Sequence, residues 1–190
     1  YAGGKNFSLR ALSDNFTEEE LAEGVVYAHE RGVKFYVTVN IFPRNADMEE
    51  ASRYFRLLQN IGVDAVLITD PGFISLCREV APLLPIHLST QANTLNYRSV
   101  AFWRDEGVKR VVLARELSIA EIAEISEKVP DVQLEAFVHG AMCISYSGRC
   151  LLSNYFNGRD SNRGECVQAC RWHYELRERS KNGDFYPVEE

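Results

Sequence analysis

The stretch AVLITDPGFISLCREVAPLLPIHLST, residues 65–90, contains the pattern of a strand, a helix and a second strand in one short run. Ala65 to Thr69 is nearly all apolar, which is typical of a strand buried on both faces. Pro71 suits the first turn of a helix, and we predict that this helix runs to about Leu84. Ile86 to Thr90 predicts the next strand. Such a unit predicts two parallel strands joined by a crossover helix.

The same alternation of apolar strands and capped helices continues on both sides of this unit. Thr17 with Glu20, and Ser118 with Glu121, form capping-box patterns at the starts of two helices, and Asp47 is predicted to cap a third. The further helices are predicted at Thr17–Arg31, Asp47–Ile61, Thr94–Glu106 and Ser118–Lys128, and the further strands at Lys34–Phe42, Arg110–Ala114 and Val132–His139.

This order of elements predicts an α/β fold with a parallel sheet. A (β/α) TIM-type barrel fits better than an open sheet, because no strand leads into a GxGxxG turn and polar residues lie at several consecutive strand ends. We count five strands, and YAGGKNF at Tyr1 resembles the tail of another, so we expect an incomplete barrel and a fragment. We assign residues 1–140 to the barrel portion and residues 141–190 to a cysteine-rich, locally basic segment of the same domain.

Polar side chains at the strand ends are the candidates for catalysis, since the carboxyl ends of barrel strands form the active site. By the two-residue period, Glu135 and His139 share one face of their strand and are expected to point into the barrel. Arg115 and Glu116 directly follow the preceding strand. We predict that these four residues are catalytic, with an internal ion pair or hydrogen-bonded core group as the alternative for Glu135 and His139. The other polar residues at strand ends are Thr38, Asn40, Asp70, His87, Ser89 and Gln91.

Four of the five cysteines, Cys143, Cys150, Cys166 and Cys170, lie close together in the sequence. A disulfide framework needs an oxidising compartment, which nothing in the sequence indicates. Structural zinc usually takes two close cysteine pairs, whereas an iron–sulfur cluster needs four thiolates and tolerates irregular spacing. The spacing favours a cluster and leaves zinc, disulfides and free thiols open. Cys77 lies in a predicted helix and is expected to be a small buried hydrophobe.

The charge of the chain is uneven. The formal net charge is −6, yet residues 140–183 carry seven basic and four acidic side chains, a balance of +3. This segment is either a solvated loop or a surface that faces an anion or a nucleic acid. On the second interpretation, Arg149, Arg159 and Arg163 are predicted to bind RNA phosphate. No apolar run approaches the roughly 18 residues of a membrane span, so we expect no membrane association.

Peptidase chemistry has weak support from the residues themselves. Neither an HExxH nor a GxSxG motif is present. Cys143 and His139 form a conceivable pair of nucleophile and base.

A long signature within residues 135–156 resembles that of the bacterial collagenase-like peptidase family, number thirty-two among the peptidases of unknown mechanism. Further similarity lies in GGKNFSLRA near the start, in VTVNIF, in LARELS from Leu113 and in CRWHYEL from Cys170. The resemblance therefore extends over the whole chain. The signature residues are Glu135, Phe137, Gly140, Met142, Cys143, Ser147, Gly148, Cys150 and Ser153.

The resemblance implies two different functions. The family name implies a collagen-degrading peptidase. Other members of the family imply hydroxylation without molecular oxygen, and the run is most similar to the branch that acts on the wobble uridine of transfer RNA with prephenate as the source of the hydroxyl group. We take RNA hydroxylation as the prediction and proteolysis as the alternative.

The resemblance also implies a cofactor and a cellular setting. It implies a [4Fe–4S] cluster held by Cys143, Cys150 and Cys166, with either Cys170 or a cysteine beyond Glu190 as the fourth ligand. It further implies RNA and a small hydroxyl donor as partners, a homodimer or a heterodimer with a related family member, and a cytoplasmic location.

Overall fold

Six parallel strands lie side by side in one sheet, in the order in which they occur along the chain. The computed structural model describes residues 1–9, 14–140, 142–174, 177–179 and 185–187. The strands of the sheet are β1 Ala2–Gly3, β2 Tyr36–Val39, β3 Ala65–Ile68, β4 Ile86–Leu88, β5 Arg110–Val112 and β6 Gln133–Glu135. The α-helices are α1 Glu18–His29, α2 Met48–Asn60, α3 Pro71–Val80, α4 Tyr97–Asp105, α5 Ile119–Lys128 and α6 Leu152–Asn157.

Shorter elements complete the described residues. A separate antiparallel pair is formed by β7 Arg177–Arg179 and β8 Phe185–Pro187. Single 3-10 turns lie at Asn45–Asp47, Thr90–Ala92, Tyr146–Gly148, Ser161–Arg163 and Ala169–Arg171. In the described part of the chain, no helix combines the length and the apolar character needed to span a membrane.

The two faces of the parallel sheet differ in chemistry. Residues of one alternating set, such as Val39, Ile68 and Leu88, are fully buried and belong to the hydrophobic core with helix residues such as Phe55 and Phe73. The other set includes polar residues and lines a cavity. Because successive strand residues point to opposite faces, the core lies between the sheet and the helices, and the polar set is left on the other side. The prediction of an α/β fold with parallel strands is confirmed.

Two of the three predicted helix caps form in the structure. The capping boxes at Thr17 and Ser118 form as predicted. Asp47 occupies the cap position of α2, but its carboxylate accepts no hydrogen bond from the backbone of α2; it accepts from the backbone N–H of Arg44 and from the side chain of Arg163. Helix α3 ends at Val80 rather than near Leu84, because Ala81 precedes a proline, which disfavours the helical conformation.

The sheet is strongly curved. The hydroxyl of Tyr1, next to β1, donates a 2.6 Å hydrogen bond to Glu135 at the end of β6, although these strands are the two edges of the sheet. Among the described residues, the backbone ladder ends at β1 and β6 and no strand joins these edges. The sheet is therefore open but curved, and a closed TIM-type barrel remains a prediction, as does the division of the chain at residue 140.

A buried histidine lies on the concave face of this sheet. His87 on β4 is 5% exposed, and its ring centroid lies 4.8 Å from that of Tyr36. Its Nδ1 has no hydrogen-bond partner among the described residues. Burial lowers the pKa of His87 to about 4, and the nearby charge of Arg110 acts in the same direction. The histidine is therefore neutral in the folded chain near pH 7.

We predict a pH-dependent stability that originates at His87. An unfolded histidine has a pKa of about 6.5, so between about pH 6.5 and 4 the unfolded chain binds more protons and the free energy of unfolding falls as the pH drops. His87→Phe keeps the ring contact with Tyr36 but does not titrate. Its loss of unfolding free energy over this window should be smaller than that of the wild type by up to about 3 kcal/mol.

Urea denaturation of both proteins at a series of pH values measures this difference. The carboxylates titrate in both proteins and cancel in the comparison. Parallel curves for the wild type and His87→Phe would contradict the assignment.

Candidate functional site

A cavity of about 630 Å³ lies on the concave face of the sheet. Residues in or directly after all six strands line it, among them Gly3, Thr38, Leu67, Ser89 and Glu135. A pocket of this size is typical of small-molecule sites. The cavity lies where the sequence predicts that the polar strand ends converge.

The wall formed by β2, β3 and β4 carries a buried polar network. Thr69 donates through Oγ1 to the backbone oxygen of Asn40 at 3.1 Å and contacts Oε1 of Gln91 at 3.3 Å. The hydroxyl of Ser89 also donates to Oε1 of Gln91. The backbone N–H of Leu9 donates to Oδ1 of Asn40 at 3.2 Å. These bonds fix the orientation of both side-chain amides.

Glu135 forms the opposite wall. Its Oε2 accepts the hydrogen bond from Tyr1 and lies 3.4 Å from Nη1 of Arg110. Burial and the bond to the carboxylate raise the pKa of Tyr1 to about 12. The prediction that Glu135 points into the interior is confirmed, and it forms the ion pair that the sequence left open as an alternative role.

His139 does not share this position. Strand β6 ends at Glu135, so the two-residue period no longer governs residue 139, and the side chain is exposed. Phe137, between them, lines the cavity. No hydrogen bond within the described residues joins His139 to Cys143, whose Sγ instead lies 3.0 Å from Oγ of Ser145. The expected inward orientation of His139 is therefore wrong.

Arg115 and Glu116, at the end of β5, hold the loop that carries Cys143. Arg115 donates from Nη1 to the backbone oxygen of Cys143 and from Nη2 to that of Ser145 at 2.8 Å. Glu116 accepts from the backbone N–H of Ser147 at 2.8 Å and from its hydroxyl at 2.5 Å. Both side chains therefore form their hydrogen bonds with the loop and hold its backbone in place.

The backbone conformation of Ser147 requires the hydrogen bonds with Glu116. Its backbone lies in the left-handed region, with φ of 39°, and the residue is fully buried. A non-glycine residue in this region costs on the order of 1–3 kcal/mol and persists only when its surroundings hold it. Partial burial raises the pKa of Glu116, but the hydrogen bonds from Ser147 outweigh this effect and leave the pKa below its usual range. The carboxylate is therefore charged when it binds the serine.

Asn162 holds the second cysteine. Its Oδ1 accepts from the backbone N–H of Cys150 at 3.1 Å, and its Nδ2 donates to the backbone oxygen of the same residue at 3.0 Å. Ser161 donates to that oxygen as well, at 2.6 Å. The backbone of Asn162 is tied in turn to the end of β2, where Phe42 donates to its carbonyl at 3.0 Å. The loop of Cys150 is thereby fixed to the sheet.

An ion pair anchors the same loop to α2. Arg163 donates from both terminal nitrogens to the two oxygens of Asp47, at 2.8 and 3.0 Å, and also binds the carbonyl of Phe42 at 3.1 Å. The hydrogen bond from Arg163 lowers the pKa of Asp47. The carboxylate neutralises much of the charge that Arg163 was predicted to offer to phosphate.

The two other predicted phosphate contacts differ from Arg163. Arg149 is exposed, donates through Nε to the backbone oxygen of Gln91 at 2.9 Å and lies 5.3 Å from the ring centroid of Phe42. Arg159 is half-buried, and the described residues offer it no ion pair. RNA contact by these arginines remains a prediction.

Hydrogen bonds and a nearby positive charge surround the sulfurs of Cys143 and Cys150. All five cysteines are free. The backbone N–H of Leu152 donates to Sγ of Cys150 at 3.3 Å, and hydrogen bonds of this kind tune the potential of thiolate-bound iron. Partial burial raises the pKa of Cys143, but the bond with Ser145 and the charge of Arg115 outweigh it, so the pKa lies below its usual range.

Cys166 and Cys170, like Cys143, are exposed, whereas Cys150 is partly buried. Sγ of Cys166 accepts from the backbone N–H of Gln168 at 3.3 Å and from the hydroxyl of Ser153 at 3.7 Å. Cys170 is exposed. Within the described ranges, no three of the His, Cys, Asp and Glu side chains are gathered closely enough to hold a single metal ion. An iron–sulfur cluster at these cysteines therefore remains a prediction.

An exposed aromatic surface was missed at the sequence level. We name Tyr155, Phe156, Trp172 and Tyr174 the stacking surface. Phe156 lies at its centre, with ring centroids 5.2, 6.3 and 5.9 Å from those of the other three. These residues are separated by up to 19 positions, so no periodic pattern marks them as one surface; their exposures range from 45% to 82%.

Comparisons with known proteins agree with this arrangement of elements. A profile described as peptidase family U32 matches residues 1–189. The solved U32 peptidase Mk0906 superimposes with a TM-score of 0.59 at 19% sequence identity, over 75% of this chain and 61% of that chain. At this identity the similarity shows a common fold alone.

Relatives with assigned functions are considerably more similar. The tRNA hydroxylation protein P1 of Bacillus subtilis (strain 168) is 52% identical over 93% of this chain and 42% of its own length. The tRNA hydroxylation protein P of Escherichia coli (strain K12) is 51% identical over 94% and 39%. The 23S rRNA 5-hydroxycytidine synthase of the same organism is 38% identical over 94% and 26%. The chain thus spans about two fifths of the first two relatives.

We predict that the pair of Asp47 and Arg163 stabilises the cysteine loops. Asp47→Asn keeps the shape of the side chain but leaves a half-buried guanidinium without its counter-charge, which should cost about 1–3 kcal/mol of unfolding free energy. Arg44→Met is the matched control, because the Arg44 side chain is 73% exposed and its ion pair with Asp160 is long, with 3.5 Å between nitrogen and oxygen. Its expected effect is below about 1 kcal/mol. Urea denaturation at pH 7 measures both, and equal effects would contradict the prediction.

Proposed function

Because the chain belongs to peptidase family U32, we propose that this protein hydroxylates RNA, with the wobble uridine of transfer RNA as its substrate. The observation that carries the proposal is the identity of 51–52% to two tRNA hydroxylation proteins over more than nine tenths of the chain. A third relative that is named for rRNA hydroxylation extends the same chemistry to another RNA.

The proposed cofactor is a [4Fe–4S] cluster ligated by Cys143, Cys150 and Cys166, with Cys170 or a cysteine beyond Glu190 as the fourth ligand. The free state of these thiols and the hydrogen bonds to their sulfurs support it. When bound, such a cluster supplies a Lewis-acidic or redox-active iron.

Arg115 and Glu116 act in this proposal as positioning residues rather than catalytic ones. Arg115 binds two carbonyl oxygens around Cys143, and Glu116 holds Ser147 in its left-handed conformation. Together they fix the backbone of the loop that carries Cys143. Arg115 also places a positive charge beside the thiol, which favours the thiolate form that ligates iron.

The RNA-binding face in this proposal combines the stacking surface with Arg149 and Arg159. Proteins that bind single-stranded nucleic acid commonly pair basic side chains for the phosphates with exposed rings on which bases stack. The local excess of positive charge in residues 140–183 of an acidic chain supports this role.

The remaining parts of the proposal follow from the family resemblance. They are prephenate as the source of the hydroxyl group, a homodimer or a heterodimer with a related family member, and action in the cytoplasm, where tRNA is located. Proteolysis has less support, because the conceivable nucleophile and base, Cys143 and His139, share no hydrogen bond in the described structure.

We predict that cells lacking the protein have lost 5-hydroxyuridine-type nucleosides from their transfer RNA. Wild-type protein should restore them, whereas Cys143→Ala should lower them at least tenfold, because a missing ligand removes the cofactor. Cys77→Ala is the matched control, since this thiol is fully buried in the helix-side core. Mass spectrometry of digested transfer RNA measures the outcome. Unchanged hydroxylated uridine in the deletion strain would disprove the proposed function.

The iron and sulfide contents of the same variants, after anaerobic reconstitution, separate the cofactor from the function. Cys143→Ala, Cys150→Ala and Cys166→Ala should each lose iron, and Cys77→Ala should keep it. Retention of iron in Cys170→Ala would assign the fourth ligand to a later cysteine. A full iron complement in the first three variants would exclude the cluster assignment.

We further predict a defined salt dependence of RNA binding. Each arginine that neutralises a phosphate adds about one unit to the slope of log affinity against log salt. The double variant Arg149→Ala with Arg159→Ala should reduce that slope by about two. Arg53→Ala with Arg56→Ala, exposed on α2, provides the control with the same charge change. Equal slopes for the double variant and the wild type in filter-binding titrations would exclude phosphate contact.

A further inference from the structure

A second cavity lies between the start of α1 and the middle of α2. We name it the α1 pocket; its volume is about 280 Å³. Its most buried lining residues, Leu21 and Tyr54, belong to the hydrophobic core on the helix side of the sheet. Phe16 lines both this pocket and the larger cavity on the concave face. The other lining residues are Lys5, Asn6, Thr17, Glu18 and Glu19. The volume suits a small metabolite.

Tyr54 supplies an unpaired hydroxyl to the α1 pocket. The residue is 4% exposed, and its hydroxyl has no hydrogen-bond partner among the described residues. The ring is held by Phe7, with 5.8 Å between the two ring centroids. Burial raises the pKa of Tyr54, and the charge of Glu18 acts in the same direction, so the hydroxyl keeps its proton and can donate. Because buried polar groups are normally paired, this hydroxyl indicates a ligand with a hydrogen-bonding group.

Two opposite charges line the same pocket without pairing. Lys5 and Glu18 are exposed, and in the described part of the chain neither side chain forms an ion pair or a hydrogen bond. Glu19 differs, because it accepts hydrogen bonds from its own backbone N–H and from Thr17, which lower its pKa. The pocket therefore offers one ammonium group, one carboxylate and one buried hydroxyl to a ligand.

These charges disfavour a ligand of a single sign. The start of α1 carries three consecutive glutamates, which repel a phosphate or another simple anion. Its first turn is also already capped by the reciprocal hydrogen bonds of Thr17 and Glu20. A simple cation would in turn meet the ammonium group of Lys5. A zwitterion matches both charges at once, and oppositely charged partners form the stronger hydrogen bonds.

We propose that the α1 pocket binds a free α-amino acid with an apolar side chain. The ammonium group of the ligand pairs with Glu18. Its carboxylate pairs with Lys5 and accepts the hydrogen bond of Tyr54. Its side chain packs against Leu21 and Phe16, which are 0% and 44% exposed. This site goes beyond the proposed function, which assigns no ligand to it.

Saturation-transfer NMR of the full-length protein tests the site with leucine and two of its analogues. The first analogue, 3-methylbutylamine, is leucine without its carboxylate, and the second, 4-methylpentanoate, is leucine without its ammonium group. Leucine should bind saturably. Each analogue should bind about tenfold more weakly or worse, because it leaves one charged group of the pocket without its partner.

Two variants with matched controls locate the binding. Tyr54→Phe removes only the hydroxyl, so it should weaken leucine binding about fivefold or more without lowering the free energy of unfolding. Tyr27→Phe makes the same change at an exposed position of α1 and should leave binding unchanged. Glu18→Gln should weaken leucine binding about tenfold or more. Its control is Glu23→Gln, also exposed on α1 but outside the pocket.

Three results would overturn the site. They are the absence of saturable leucine binding, an analogue that binds as tightly as leucine, and a leucine affinity that is unchanged in both Tyr54→Phe and Glu18→Gln. If the variants lose their native circular dichroism, the comparison of the three probes on the wild type decides the question. None of these measurements depends on RNA hydroxylation, so failure of this site is distinguishable from failure of the proposed function.

Discussion

The two-residue period of the parallel strands is the constraint on which the rest of the structure depends. It places residues such as Val39 and Ile68 beneath the helices and their neighbours Asn40 and Thr69 on the concave side. A shift of one residue in any strand would bury the polar set in the core and expose the apolar set, at a cost no other contact offsets. The core and the cavity are therefore two results of one pattern.

The cysteine loops depend on the ends of those strands. Arg115 and Glu116, which follow β5, form hydrogen bonds with the loop of Cys143. The backbone that follows β2 binds Asn162, which in turn binds the backbone of Cys150. These are hydrogen bonds between residues far apart in the chain. They fix two thiol-bearing loops over the carboxyl end of the sheet, next to the cavity, which is where a parallel α/β fold places its chemistry.

The sequence predicted local features well and distant contacts poorly. The parallel strands and the capping boxes at Thr17 and Ser118 depend on residues close in the chain, and they were correctly predicted. The role of Asp47 was only half predicted, because its partner lies 116 positions away. The predicted orientation of His139 was wrong because strand β6 ends four residues earlier, so the two-residue period does not extend to that residue. The stacking surface escaped prediction for the same reason of distance.

The central claim is that the strand ends carry thiol loops that together hold an iron–sulfur cluster beside the cavity on the concave face. Anomalous scattering at the iron edge, from crystals of the anaerobically purified full-length protein, tests it most directly. The account predicts an iron peak bonded to Sγ of Cys143, Cys150 and Cys166 at the carboxyl end of the sheet. Iron bound elsewhere, or these three thiols free of iron in a protein that hydroxylates RNA, would contradict it.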